Sequence, residues 1–172
     1  DGSERPTASL GHEHTSSGHF SISALGEYFA IDTGRYNIEQ SCHNVVLVNG
    51  QSGRSTNGEW RALYYHGNLT AYQPHPFCDT AEADSSHQHN TCWARRQVGL
   101  VKGSQAPSYV WTVDDVNHNN DWAEFWWQLH TSPENTITLR ENSATIQGCR
   151  QGNFMDVHLA LPPHGHYPKD HT

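Results

Sequence analysis

Lysine is nearly absent from this chain: only Lys102 and Lys169 occur, and all ten basic residues together face 18 acids, for a formal net charge of −8. That balance excludes a nucleic-acid partner, because phosphate binding needs a basic face. It also disfavours a polyanionic partner unless the arginines gather locally. Long apolar runs are missing too. None approaches the roughly 20 residues of a membrane-spanning helix, so no membrane partner is expected. None of the four cysteines forms a C-x-x-C pair, which argues against zinc-ribbon and thioredoxin-like sites. No repeat of 20–50 residues occurs, no amphipathic helical pattern exceeds two or three turns, and no signal-peptide pattern is visible. Asp1 reads as a mature N-terminus or as a boundary within a longer chain.

The apolar fraction is low, at 34%, but six Trp, seven Tyr and five Phe supply large surfaces to bury, which argues against disorder. At 172 residues the chain is expected to form one domain with a real core. Its pattern is that of strands. Phe20, Ile22 and Ala24 alternate with His19, Ser21 and Ser23; Gly26-Glu27 then turns the chain into Tyr28–Ile31, completing a hairpin. Val45–Val48 runs into Asn49-Gly50, a strong turn signal. Further strands are expected at Trp60–Tyr65, Tyr109–Val113, Ala123–His130, Thr136–Arg140, Ala144–Gln147 and Asp156–Leu161. Short strands separated by Gly, Asn, Ser and Pro clusters predict an all-β antiparallel sandwich with long polar loops. Gln73–Asn90 reads as a long loop or irregular edge, and Pro162–Thr172 as a tail over the surface. Asn68-Leu69-Thr70 is a glycosylation sequon, weak by itself. Cys42, Cys78, Cys92 and Cys149 allow two disulfides in an oxidising compartment; Cys78–Cys92, closing a short loop, is the expected pair.

Fourteen histidines produce three H-x-H pairs, His12/His14, His87/His89 and His164/His166. Spacing alone does not choose among them, but context does. Gly11-His12-Glu13-His14 precedes the first hairpin, whose second strand leads into Asp32-Thr33-Gly34-Arg35-Tyr36. His43-Asn44-Val45-Val46-Leu47-Val48-Asn49-Gly50 follows. This ordered set resembles the C-terminal β-sandwich region of the heparinase II/III family of polysaccharide lyases. The likeness is sharp over residues 10–50 and looser through Arg95-Arg96, Val113-Asp114-Asp115 and Phe125–His130.

The resemblance implies a metal, usually zinc, held by His14, Asp32 and His43; His66 and His75 remain alternatives for the third ligand. Two neutral imidazoles and a carboxylate form a sensible zinc set with room for a fourth ligand. The hairpin independently makes His14 and Asp32 neighbours, because residues before its first strand and after its second lie at one end. By resemblance, His12 is a catalytic residue that faces an acidic polysaccharide and neutralises the uronate carboxylate during β-elimination. Arg35, Arg95 and Arg96 are candidates to bind that carboxylate with a guanidinium fork. The family's large α/α toroid, which carries the catalytic tyrosine, is not in this sequence, so lyase activity is expected only with a toroid partner. Tyr36, Tyr64 and Tyr65 are the tyrosines nearest the motifs. A secreted or periplasmic location fits such a protein. Two alternatives stand: a non-catalytic secreted carbohydrate-binding or self-associating sandwich, with Trp60, Trp93, Trp111, Trp122, Trp126 and Trp127 as stacking platforms or core; and an open-site metalloenzyme of another class.

Overall fold

A computed structural model describes residues 14, 16–53, 67–89, 91–103, 107–119 and 122–160. The expected strand at Trp60–Tyr65, the tail Pro162–Thr172, His12, His66, Tyr64 and Tyr65 lie outside the described residues. Within them the chain is all-β, as the alternation predicts, and it divides into two compact units. One draws on residues 1–21 and 30–130, the other on 22–29 and 131–172.

The first unit is built on a four-stranded antiparallel meander: β4 (Asn68–Gln73), β5 (Cys78–Asp84), β6 (Trp93–Val101) and β7 (Tyr109–Asn117). Along β6, Ala94 and Arg96 are buried while Trp93 and Arg95 are exposed, the period-two signature of a sheet with one wet face. A second antiparallel pair joins β3 (Val46–Val48) to β8 (Phe125–Trp127), with Leu47 opposite Trp126. Val45, Val46, Leu47 and Ala94 lie in the core of this unit. After β3, Asn49 (φ 54°) and Gly50 (φ 65°) form the turn that the dipeptide predicts, closed by the Gln51 N–H donating to the Val48 carbonyl at 3.0 Å. Any Cβ at Gly50 would lie 2.9 Å from the Trp126 ring, so glycine serves here both for its backbone and for close approach.

The second unit contains the antiparallel meander β9 (Thr136–Arg140), β10 (Ser143–Gln147) and β11 (Phe154–His158). It also contains most of the hairpin β1 (Ile22–Ala24) and β2 (Glu27–Ala30), which turns at Leu25 (φ 53°) and Gly26 (φ 77°), one residue earlier than the sequence implies. The buried carboxylate of Glu27 accepts the backbone N–H groups of Arg150 and Gln151. Burial alone would raise its pKa, but the N–H groups of Gln151, Arg150, Gly152 and Asn153 outweigh that and hold it below the ordinary value.

Two expectations fail. Gln73–Asn90 is not a loop: it holds β5, an inner strand of the meander, and the helical turn α1 (Ser86–His89). The strand is polar because its partners are polar. Gln97 donates to Glu82 at 2.8 Å, and Lys102 pairs with Asp79 at 2.7 Å. The Cys78–Cys92 disulfide is also excluded, and all four thiols are free. Cys78 is registered opposite Val101, whereas Cys92 precedes the other end of β6. Nine residues of strand separate those ends by roughly 30 Å, against the 4.4–6.8 Å between Cα atoms that a disulfide spans.

Candidate metal centre

Within the first unit, His14 precedes β1, Asp32 follows β2 by two residues, and His43 ends a short 3-10 turn, Gln40–Cys42. Their ligand atoms meet. His14 Nδ1 lies 3.1 Å from His43 Nε2, and Asp32 Oδ2 lies 3.4 Å from the first and 3.0 Å from the second. These three residues form a cluster that could hold a metal ion, with His43 fully buried.

The outer hydrogen bonds decide which nitrogens carry protons. His14 Nε2 sits 2.9 Å from the Arg35 carbonyl and His43 Nδ1 sits 2.7 Å from the Glu39 carbonyl. A carbonyl only accepts, so each of those nitrogens is the N–H donor. The opposite nitrogens, which face each other and the carboxylate, then carry lone pairs in the neutral rings. Asp32 is fixed in turn by the Gly34 N–H, which donates to Oδ1 at 2.6 Å. Burial resists its ionisation, but the Gly34 bond and the His43 and His14 rings outweigh burial and lower its pKa. Three electron-pair donors therefore converge, and the arrangement calls for a cation, proton or metal, among them. Zinc bonds of about 2.0–2.1 Å at tetrahedral angles require ligand atoms about 3.3 Å apart. The observed triangle, with edges of 3.0–3.4 Å, has that size.

Asn44 and Arg96 build the frame, and neither role was visible in the sequence. Asn44 is wholly buried; its Nδ2 donates to the Phe20 and Ile31 carbonyls at 2.8 and 3.2 Å, and its Oδ1 accepts the His130 N–H. The Asn44 N–H donates to His19 Nδ1 at 3.0 Å. Burial first, then the neighbouring His43, pushes the His19 pKa down to about 4, so His19 stays a neutral strut. Arg96 is only 4% exposed; it grips Asp114 with two bonds of 2.6 and 3.0 Å and donates to the Gly18 and Asn44 carbonyls at 2.7 and 2.5 Å.

The three arginines that are candidates for a substrate carboxylate stand in different surroundings. Arg95 and Arg96 are adjacent on β6 and must point to opposite faces. Arg96 is consumed by the frame, whereas Arg95 is 57% exposed at the side chain and 3.8 Å from Asp84. Arg35 lies on the Asp32–Asn37 loop, its guanidinium 5.8 Å from the centre of the exposed Tyr36 ring. His75 stands apart, in the β4–β5 connection, where its Nδ1 accepts the Phe77 N–H at 3.2 Å.

The fold and this site define an all-β protein with a two-histidine, one-aspartate cluster beneath an exposed loop. No family model and no curated protein matches the chain.

Proposed function

We propose that this chain is the metal-binding β-sandwich part of a secreted or periplasmic polysaccharide lyase that cleaves uronate-containing chains by β-elimination. The observation that carries the reading is the His14–Asp32–His43 triangle with its two tautomer-fixing carbonyls. The order of the motifs around it, H-x-H, Asp-x-Gly-x-Tyr and His-Asn, supports the lyase. Zinc is the proposed ion, held by those three residues; when bound it replaces the mutual repulsion of three lone pairs with ligand bonds and ties the loop to the core.

The residues divide the work as follows. His14 donates to the Arg35 carbonyl and Asp32 accepts from Gly34, so the ligands themselves hold the loop that presents Arg35 and Tyr36. His12, two residues before a ligand, neutralises the uronate carboxylate as the C5 proton leaves and negative charge spreads onto it. A base at C5 and an acid at O4 must flank the sugar, and a toroid partner supplies them.

The test is elimination read by the ultraviolet band of the unsaturated uronate. Residues 1–172 alone should produce almost none. With a toroid partner joined, turnover should appear, and His12→Ala should lower it about 10²–10³-fold without changing the melting temperature. Vigorous elimination by the chain alone, or an active His12→Ala variant, contradicts the assignment.

A further inference from the structure

The outward face of the four-stranded sheet carries a second constellation, remote in sequence from the metal ligands. Trp93, Arg95, Gln97 and Gly99 share that face of β6, and Trp111, Val113 and Asp115 face it from β7 in direct register. The Trp111 indole occupies the space where a Gly99 side chain would stand, so the ring lies across the strand instead of standing off it. At the other end, the Trp93 indole N–H donates to Asp115 Oδ1 at 2.8 Å, which fixes that ring too. Between the two rings the floor is polar. Gln97 donates to Glu82 at 2.8 Å, and Arg95 stands opposite both Asp84 and Asp115.

We propose that this face binds an uncharged pyranose polysaccharide. A pyranose chair with equatorial hydroxyls presents its axial C–H groups as an apolar patch that stacks on an indole, while its hydroxyls seek fixed donors and acceptors around the rim. Both features are present and held in place before any ligand arrives. Trp93 and Gly99 are six residues apart on β6, so their backbone positions are separated by roughly 20 Å, the length of about four sugar units. Charge selects the ligand class. Three carboxylates, Glu82, Asp84 and Asp115, stand against the single guanidinium of Arg95, so the face repels a uronate chain and offers acceptors to neutral hydroxyls. The proposal does not rest on the metal reading.

Calorimetric titration with β-1,4-linked hexasaccharides of glucose, xylose and mannose tests it, with polygalacturonate oligomers and the matching disaccharides alongside. At least one neutral hexasaccharide should bind, about tenfold more tightly than its disaccharide and than the uronate oligomer. Trp93→Ala and Trp111→Ala should each weaken it at least tenfold. Because the Trp111 ring also covers Gly99, the surface variant Gln97→Ala, which should weaken binding several-fold, guards against a folding defect. His14→Ala should leave glycan affinity unchanged. Absence of binding by all three neutral hexasaccharides, equal binding of the uronate, or affinity that survives Trp93→Ala overturns the proposal.

Discussion

Replacing Arg96 with methionine should unfold this protein more readily than any substitution at its exposed neighbours. The side chain is 4% exposed and closes three connections at once: a two-bond pair with Asp114 and single bonds to the Gly18 and Asn44 carbonyls. Methionine keeps much of the apolar stem but leaves the Asp114 carboxylate, itself only 18% exposed, without its partner and two carbonyls without their donor. Removing one member of a buried pair costs about 3–5 kcal/mol, most of it the penalty of the stranded charge. At about 2–4 °C per kcal/mol for a chain of this size, the melting temperature should fall by roughly 6–20 °C. Urea denaturation followed by tryptophan fluorescence measures the free energy, and Arg95→Met is the internal control. Arg95 is adjacent in sequence, but its side chain is 57% exposed and its carboxylate partner is 3.8 Å away. Such a surface pair contributes less than about 1 kcal/mol. If Arg96→Met and Arg95→Met destabilise alike, within about 1 kcal/mol, Arg96 is not the keystone of the frame.

Acid should weaken the fold before any carboxylate titrates. His89 is nearly buried and its pKa is pushed down to about 4, chiefly by burial and then by the Arg96 charge; the unfolded chain takes up that proton near 6.5. Between those values the unfolded state binds more protons, so stability is complete above about pH 6.5 and declines toward pH 4, by at most about 1.4 kcal/mol per pH unit for this group. His89→Gln should remove this group's share of the slope in urea titrations, leaving that of His19, whose pKa is likewise pushed down to about 4, and an unchanged slope would remove His89 as a source. The four cysteines should all react with a thiol reagent in denatured protein prepared without reductant; two or fewer reactive thiols would contradict the free-cysteine arrangement.

What was legible in the sequence is what local chemistry determines. Thr136–Arg140 forms a strand with the expected bounds, because alternation and flanking turns suffice there. Asn49-Gly50 makes the turn its backbone preferences demand. The ligand set His14, Asp32 and His43 came from the family resemblance; hairpin geometry added only that His14 and Asp32 lie at one end, and His43 had no local signal of its own. The strands β4, β5 and β6 that the alternation did not reveal pair with their sequence neighbours in a meander, but their polar and charged residues hide the apolar period. Nothing local in Cys78–Asp84 says that Asp84 will stand opposite Arg95, or Glu82 opposite Gln97. Asn44 escaped for a different reason: its side chain bonds reach residues as far as 86 positions away. The disulfide expectation weighed closeness in sequence, whereas an antiparallel ladder carries Cys78 and Cys92 to opposite ends.

The most direct test of the metal centre is calorimetric titration of zinc into chelator-stripped protein at neutral pH. The account predicts about one equivalent bound per chain, with proton release and a raised melting temperature as ligands exchange protons for metal. The double variant His14→Ala, Asp32→Ala should show no such binding. Undiminished stoichiometry in that variant, or no zinc uptake by the wild-type chain, would contradict the assignment of His14, Asp32 and His43.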